Sequence, residues 1–324
     1  MVTIVDARSD HHGALEKACA VLRSGHPVAI PTETVYGLAG DIHAEHAIRR
    51  IFEIKGRPAS NPLICHVSSI EMACEYVHFD DLALSLANAF WPGPLTLVLP
   101  RKMRGAALEL ASAGLSTLAV RIPQGFSREL IECFGRGLAA PSANISGRVS
   151  PTSAVHVQEG LGQRVGLIVD GGTCGIGVES TVVEISECVC ALLRPGGLDV
   201  SMLERMIGRS IETRSDHTVL KSPGMMASHY APRARVRLDA LEVFPDEALL
   251  TFGACSVAGA EAAKSVQNLS VKGSLEEAAA RLFDAMLVAD RTGATTIAVV
   301  PIPLEGLGLA INDRLRRSAA PRIS

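Results

Sequence analysis

Several features that are typical of common protein classes are scarce in this sequence of 324 residues. Aromatic residues make up only 4% of the chain, so we expect a core of aliphatic side chains and alanine. The net charge of −3 lacks the basic excess expected of a protein that grips a long nucleic acid. No apolar run approaches the ~18 residues of a membrane-spanning helix.

The cysteines and the N-terminal segment also exclude several classes. The eight cysteines are scattered, form no CxxC pair, and include only one close pair, Cys188 and Cys190. Without ligands at the spacing of a zinc site, we predict free thiols and no protein-built metal site. The first residues have no basic segment before an apolar one, so we predict no signal peptide and expect a cytoplasmic location.

Motifs for the familiar phosphate-binding loops and for serine hydrolases are missing. The Gly-Lys dipeptide of the Walker loop does not occur. The Gly-x-Gly stretches at 135–137, 175–177 and 306–308 lack a third glycine in register after a strand, so we interpret them as turns. Ser146 is not in a GxSxG elbow. Many donors and few nucleophiles favour a reaction in which the protein positions substrates that react with each other.

Short apolar runs alternate with helical patterns over the first two-thirds of the chain. Helices are expected at 14–23, 44–55 and 80–90, and strands at 27–30, 62–67, 95–99, 117–122, 138–141, 167–170, 181–185 and 191–193. Several of these strands follow one another without a helix between them. The pattern therefore predicts an α/β fold with a twisted, mixed sheet flanked by helices.

The organisation changes at residues 209–234, a polar stretch with two prolines and no clear period. We interpret it as a linker between a first domain at 1–208 and a smaller, Rossmann-like α/β domain at 235–324. The second domain has strand patterns at 248–252 and 296–300. A capping box, Ser274 to Glu277, begins a helix between those strands, and a helix at 310–318 closes the chain.

Two cations, Lys55 and Arg57, lie at the end of an expected helix with a glycine between them. One interpretation is that they cap the helix, because the helix dipole favours positive charge at its C-terminal end. The other is that they face a polyphosphate, which the point charge of lysine and the planar fork of arginine can bind. Asn61 would add a neutral donor to a phosphate site. His66 is alone on the following strand, where a histidine is more often structural than catalytic.

Arg121 lies on an apolar strand and shares one face with Thr117 and Ala119. A buried arginine needs a partner, which is either a structural carboxylate or a ligand carboxylate held bidentately. Polar segments also flank other strands, at 31–37, 142–152, 170–172, 177–181 and 194–197. Because open α/β sheets bind ligands at strand ends, these segments together predict a site.

Taken together and in this order, these segments resemble the YrdC-like family of threonylcarbamoyl-AMP synthases. The matching stretches are PTETVYGL, KGRPASNPLICHV, WPGPLTLVLP, LAVRIP, APSANISGRVSPT, DGG, GVESTVV and LLRPGG. The stretches SPGMMASHYAP and GLGLAINDRLRRSAA resemble the longer, two-domain branch. The likeness covers nearly the whole chain, and the ordered set is specific although each piece alone is weak.

The resemblance implies a nucleotidyltransferase of tRNA processing. L-threonine, bicarbonate and ATP would give threonylcarbamoyl-AMP and pyrophosphate, and downstream tRNA threonylcarbamoyl-transfer proteins would move the group to tRNA. The threonine carbamate would attack the α-phosphorus of ATP with Mg2+ bound to the nucleotide, without a covalent enzyme intermediate. Direct contact with tRNA is not required, and no membrane is involved.

The resemblance also implies roles for individual residues. Its Lys-x-Arg and Ser-x-Asn signature, expected to be catalytic, falls on Lys55, Arg57, Ser142 and Asn144. ATP would be bound by Arg57, Asn61, Thr117, Ser142, Ser150, Arg194 and Tyr230. Threonine would be bound by Thr34, His66, Arg121, Ser180 and the backbone of Ala140. Glu33 would orient donors or a metal.

The linker departs from the family pattern. The resemblance would fold it over the site, with His229 and Tyr230 near the nucleotide. The family often has cations before this His-Tyr pair, as in KYRHY, whereas here Met225-Met-Ala-Ser precedes it. We therefore do not assign this linker a charge-based role in binding phosphates, and we expect the C-terminal domain to regulate or gate the site.

Two other hypotheses belong to different functional classes. A non-catalytic protein that binds tRNA or double-stranded RNA would use a concave cationic face, but the pI of 6.4 and the few aromatics argue against it. A related carbamoyl-adenylate enzyme would use carbamoyl phosphate in place of threonine. That chemistry occurs in larger maturation proteins, whose acylphosphatase and zinc-finger regions are absent from this sequence.

Overall fold

The computed structural model describes residues 2–186, 189–213 and 229–321, within which the chain forms one large and one small sheet flanked by helices. The strands are β1 (Thr3–Asp6), β2 (Val28–Ile30), β3 (Gly37–Asp41), β4 (Ile64–His66), β5 (Leu95–Pro100), β6 (Thr117–Arg121), β7 (Leu138–Ala139), β8 (Leu167–Asp170), β9 (Thr181–Ser186), β10 (Val189–Arg194), β11 (Glu212–Thr213), β12 (Arg235–Arg237), β13 (Glu247–Thr251), β14 (Ser265–Asn268) and β15 (Thr296–Val299). The helices are α1 (His11–Arg23), α2 (Glu45–Lys55), α3 (Ile70–Tyr76), α4 (Asp81–Phe90), α5 (Ala106–Ala111), α6 (Phe126–Phe134), α7 (Ala154–Leu161), α8 (Val200–Ile207), α9 (Leu275–Arg291) and α10 (Gly308–Ala319).

The large sheet is mixed, as the sequence predicts. Its strand order in the described ranges is β1-β8-β2-β3-β7-β4-β6-β5-β9-β10-β11. Parallel pairs such as β4 with β6 and β5 with β9 occur beside antiparallel pairs such as β2 with β3 and β5 with β6. One apolar cluster packs α2, α4, α5 and α7 on the sheet, and another packs α1 and α6.

The small sheet confirms the predicted second α/β unit. Its order in the described ranges is β12-β15-β13-β14, and all of its pairs are parallel. Helices α9 and α10 supply its core. The capping hydroxyl of Ser274 accepts from the backbone N–H of Glu277 at 3.1 Å, as predicted. The Glu277 carboxylate does not close the box, because it accepts from Ser270 Oγ, which in turn accepts from the Ser274 N–H.

The two units share an apolar cluster and a close backbone contact. Val35, Val149 and Val178 of the first unit pack in one cluster with Tyr230 and with side chains of α9 such as Phe283. At Gly177, which has a φ of 77°, an added Cβ would lie 2.4 Å from the Cα of Ala280. Only a glycine allows the segment before β9 to approach α9 so closely.

The predicted strands and helices all form, with ends shifted by at most three residues. The strand predicted at 138–141 ends at Ala139, before Pro141, which has no N–H to donate to a ladder. Strand β3 was not predicted, since its sequence GLAGD has low β propensity, yet it is fully buried. Also missed were the strands β1, β11, β12 and β14 and the short helices α3, α5, α6, α7 and α8.

Two predictions concern residues outside the described ranges. Most of the linker, residues 214–228, lies there, and so does Cys188. The domain boundaries near 208 and 235 therefore stay a prediction. None of the helices in the described ranges has the length and hydrophobicity of a membrane span.

Candidate active site

The carboxyl ends of neighbouring strands in the large sheet bring the predicted site residues together. His66 and Arg121 end β4 and β6 side by side, because these strands are parallel and pair the two residues in register. The residues that line a cavity of about 40 Å3 at this edge are Thr32, Thr34, Val35, Gly37, Arg57, Ile64, His66, Arg121, Ala140, Pro141, Ser142, Glu179, Ser180, Arg194, His229 and Tyr230. Nine predicted site residues are in this set.

Lys55 is buried and reaches away from its own helix. Gly56, with a φ of 59°, ends α2 in the left-handed conformation. The Lys55 Nζ donates to the backbone oxygens of Ser142 and Asn144, at 2.5 and 2.6 Å. The two signature segments therefore meet in space. Burial, and then the neighbouring Arg57, lowers the pKa of Lys55 well below its usual value.

Arg57 is held by the segment that follows it. Its Nη2 donates to Asn61 Oδ1 at 2.5 Å and to the Pro62 oxygen at 2.7 Å, and its Nε donates to the Asn61 oxygen. Burial, and then the charge of Arg194, lowers the pKa of Arg57 to about 9. The guanidinium therefore stays charged at neutral pH and gains from an anion that enters the cavity.

Arg121 has the structural carboxylate that the sequence left open as one of two partners. Its Nη2 lies 2.6 Å from Glu33 Oε1, its Nη1 donates to Thr34 Oγ1 at 3.0 Å, and its Nε donates to the oxygen of Gly93. Glu33 thus orients a donor, as expected. The guanidinium is fixed while Nη1 and Nη2 each keep a second hydrogen, which suits it to a ligand carboxylate.

His66 and Ser180 add neutral polar groups to the same cavity. Burial, and then Arg121, lowers the pKa of His66 to about 3, so the imidazole is neutral at pH 7. Ser180 Oγ lies 2.7 Å from Thr96 Oγ1. Arg194 donates from Nη2 to the Ser180 oxygen at 2.9 Å and to Ser180 Oγ at 3.2 Å. This arrangement ties the end of β10 to the residue before β9.

A charged network beside the cavity was missed by the sequence analysis. Ser150 Oγ donates to Glu179 Oε1 at 2.5 Å, and Arg314 Nε of α10 lies 2.7 Å from Glu179 Oε2. Burial would raise the pKa of Glu179, but the charges of Arg314 and Arg194, together with hydrogen bonds, bring it down to about 2. The buried carboxylate therefore stays ionised. Glu179 lies in the GVESTVV stretch and Arg314 in the NDRLRR stretch, but no local sequence pattern indicates that the two residues pair.

His229 and Tyr230, at the end of the linker, are among the residues that line the cavity. The Tyr230 ring stacks on Phe283 of α9, with ring centroids 5.5 Å apart. The His229 ring packs edge-on against Tyr230 at 4.1 Å. Burial lowers the pKa of His229 to about 3, so no charge is added at this position. A cavity of about 40 Å3 is too small for a nucleotide, so binding of ATP requires residues that line it to rearrange.

Five predicted site residues do not line the cavity. Lys55, Asn61, Asn144 and Ser150 lie directly behind it through the contacts described above. Thr117 differs, because it begins β6, about 13 Å along the strand from Arg121. Its predicted contact with ATP stays a prediction.

Oxygen ligands for a metal are few in this region. In the described ranges, no three His, Cys, Asp or Glu side chains cluster in a way that would hold an ion. Asn144 Oδ1 is buried without a hydrogen-bond partner among those residues. Mg2+ prefers such oxygens and usually binds through one or two protein groups plus substrate phosphates. The donor set fits Mg2+ that arrives with a nucleotide.

Comparison with protein families identifies the first unit. A family model named for Sua5, YciO and YrdC, with the description "Telomere recombination", matches residues 20–196, more than half of the chain. The chain belongs to this family. A second model, "Threonylcarbamoyl-AMP synthase, C-terminal domain", matches residues 198–320. The family prediction made from the ordered motifs, including its two-domain branch, is confirmed.

Individual members of the Sua5, YciO and YrdC family match over nearly their full length. The threonylcarbamoyl-AMP synthase of Pyrococcus abyssi is 41% identical, with 94% of each chain covered. That of Bacillus subtilis is 37% identical over 99% of this chain and 97% of its own. A crystal structure of Pyrococcus abyssi Sua5 complexed with L-threonine superposes with a TM-score of 0.88 at 38% identity, covering 98% and 97% of the chains.

Proposed function

We propose that this protein is a threonylcarbamoyl-AMP synthase, which converts L-threonine, bicarbonate and ATP into threonylcarbamoyl-AMP and pyrophosphate. The observation that carries the proposal is a single cavity lined by a fixed, carboxylate-binding Arg121 and by the cations Arg57 and Arg194. Full-length similarity to synthases of the same name supports it. The protein is thus an enzyme, a nucleotidyltransferase.

The threonine end of the site is assigned to the residues around Arg121. The Arg121 fork would bind the substrate carboxylate, and Thr34 and Ser180 would hydrogen-bond the small polar side chain. Neutral His66 and the backbone of Ala140 would complete the pocket. A neutral imidazole suits the amine, since a second cation there would oppose binding of a protonated amine.

The nucleotide end is assigned to the residues around Arg57. The guanidinium groups of Arg57 and Arg194 and the hydroxyl of Ser142 would bind the phosphates, with Asn61 and Ser150 holding the cavity wall. Tyr230 would pack on the nucleotide after it moves from its place over the cavity. Thr117 is retained as a proposed ATP contact.

The reaction needs two bond-forming steps. The threonine ammonium loses a proton to solvent, and the free amine then bonds to the carbon of bicarbonate with loss of water, which gives a carbamate. A carbamate oxygen then bonds to the α-phosphorus of ATP while the bond to pyrophosphate breaks. Negative charge grows on the phosphoryl oxygens, where Lys55, Arg57 and the Ser142–Asn144 segment provide fixed positive charge and donors.

Mg2+ is proposed as the cofactor that accompanies ATP. When bound, it would neutralise charge on the phosphates and on the leaving pyrophosphate. Asn144 Oδ1 is the residue atom that we assign to it, directly or through a water. Glu33 is occupied by Arg121, so we assign no metal to that carboxylate.

We also propose the wider setting of the reaction. The product would pass to proteins that transfer threonylcarbamoyl to tRNA, without a requirement for direct tRNA binding by this chain. We propose a cytoplasmic location, which suits the free thiols of all seven cysteines in the described ranges.

The test is pyrophosphate release from ATP and bicarbonate, with and without L-threonine. We expect release to depend on threonine and threonylcarbamoyl-AMP to form in equal amount. Release with carbamoyl phosphate in place of threonine would instead support a related adenylating enzyme. Salt-sensitive tRNA binding without any turnover would support the non-catalytic RNA-binding hypothesis.

A further inference from the structure

We propose that Arg314, on the last helix of the C-terminal domain, is a positioning residue for the ATP site. It balances the charge of Glu179, so that the electrostatic field in the cavity favours phosphates. This inference rests on the proposed synthase function. It makes the C-terminal domain part of the apparatus that binds the nucleotide.

Arg314 joins three parts of the chain at one buried point. Its side chain is fully buried, and its Nε lies 2.7 Å from Glu179 in the first domain. Its Nη1 donates to the oxygen of Pro195 at 3.0 Å, in the turn that follows Arg194, and to Asp313 at 2.6 Å. Its guanidinium lies 5.1 Å from the centre of the Tyr230 ring.

Glu179 needs this partner because of where it lies. It is the one acidic side chain among the described residues that line the cavity. The negative charge of Glu179 raises the pKa values of Arg194 and Lys55, whereas burial lowers them. Without Arg314, the charge of the ionised Glu179 would be unbalanced. It would then attract Arg194 and Lys55 more strongly and would repel a triphosphate. With Arg314, the two carboxylates of Glu179 and Asp313 are balanced by Arg314 and Arg317, so the cavity keeps a net positive charge toward a triphosphate.

The same arginine supports a residue that lines the cavity. Tyr230 has a φ of 62°, a left-handed conformation that bulky residues rarely adopt. Such a conformation persists when its surroundings fix it. Here the ring contacts both Arg314 and Phe283, and the next residue, Ala231, donates its N–H to the Gly147 oxygen at 2.8 Å. Arg314 therefore positions this ring as well as the carboxylate.

The decisive variants separate charge from packing. Arg314→Gln removes the charge, Arg314→Lys keeps it, and the double variant Glu179→Gln with Arg314→Gln removes both charges. Arg237→Gln is the matched control, because Arg237 pairs with Glu247 at 2.5 Å entirely within the C-terminal domain. Thermal unfolding checks that each variant is folded.

The readouts are KM for ATP, KM for threonine, and the Kd of ATP by calorimetry. We expect Arg314→Gln to raise KM and Kd for ATP at least about tenfold, while KM for threonine changes by less than about twofold. The double variant and Arg314→Lys should both recover ATP binding to within about threefold of wild type. Arg237→Gln should leave all three values unchanged.

Other outcomes would overturn the inference. If Arg314→Gln binds ATP like wild type, or raises both KM values together with no recovery in the double variant, Arg314 is merely structural. Equal losses in Arg314→Lys and Arg314→Gln would also reject the charge argument. Should Arg314→Gln fail to fold, Arg314→Lys and the double variant are compared with wild type. A loss of ATP binding by more than about threefold in either folded variant would reject the charge argument. A wild-type protein that binds ATP but makes no threonylcarbamoyl-AMP would instead defeat the proposed function alone.

Discussion

Glu33 Oε1 lies 2.6 Å from Arg121 Nη2, and this ion pair fixes the guanidinium before any substrate binds. The side chains are only 11% and 4% exposed, so water screens the pair weakly. Thr34 and the Gly93 oxygen hold the other nitrogens of Arg121. The orientation of the fork is therefore set in advance, which would lower the entropy cost of binding a carboxylate.

Arg121→Lys should raise KM for threonine by about 10-fold to 100-fold, since a lysine ammonium cannot bind a carboxylate bidentately. KM for ATP should change little. Threonine-dependent pyrophosphate release measures both constants. Arg128→Lys is the control, because Arg128 donates Nε to the Ser68 oxygen at 3.0 Å and does not line the cavity. A similar rise for ATP and threonine would contradict a carboxylate-specific role.

Lys55→Met should lower kcat by about 100-fold or more, the cost of removing a fixed charge from a developing oxyanion. The substituted side chain is close in length, so the fold should survive. Single-turnover pyrophosphate release tests this. Lys102→Met is the matched control. Lys102 Nζ also donates to a backbone oxygen, that of Cys74, but this lysine is exposed. Unchanged kcat in Lys55→Met would mean that Lys55 only braces the Ser142–Asn144 segment.

Stability should fall as pH drops below about 6.5, because buried His66 and His229 have pKa values near 3 in the folded chain. The unfolded chain takes up these two protons below its histidine pKa, and the folded chain does not until about pH 3. At pH 5 each histidine should therefore cost about 2 kcal/mol. Denaturant unfolding from pH 7.5 to 5 in wild type and His66→Gln measures this.

The His66→Gln variant should lose about 2 kcal/mol of the wild-type pH dependence at pH 5, since one uptake site is gone while His229 and His156, whose pKa values burial also lowers, remain. His12→Gln serves as the control, because its side chain is 86% exposed. An identical pH slope in wild type and His66→Gln would show that His66 does not resist protonation in the folded chain.

Gly177→Ala should disrupt docking of the two domains. The new Cβ would lie 2.4 Å from the Cα of Ala280, and the φ of 77° disfavours any residue with a side chain. We expect a loss of at least about 1–3 kcal/mol in the free energy of unfolding, together with weaker activity. Gly175→Ala, where nothing lies within 4 Å of the added atom, should be nearly neutral. Equal stability of the two variants would refute the close approach.

Much of this site follows from local sequence. The glycine after Lys55 ends α2, and the alternation in β6 places Arg121 at a strand end, so both positions were predictable. The mixed sheet followed from strands without intervening helices. The cap of α9 followed from Ser274, although the Glu277 carboxylate accepts a hydrogen bond from Ser270 and not from the Ser274 N–H.

The rest depends on contacts between distant segments. Glu179 and Arg314 are 135 residues apart, and each looks like an ordinary surface charge in its own stretch. Gly177 resembles a turn glycine until α9 is placed against it. Strand β3 is set by its neighbours β2 and β7, and its own residues have little preference for a strand.

The rings of His229 and Tyr230 that line the cavity have a consequence for the fate of the product. Threonylcarbamoyl-AMP is a mixed anhydride, which free water cleaves without any catalyst. If the two rings pack on the bound product, they would limit its contact with water for as long as it stays bound. The lifetime of the product in the cell would then depend on how often the rings part, and a receiving protein that docks before they do would lose the least to water.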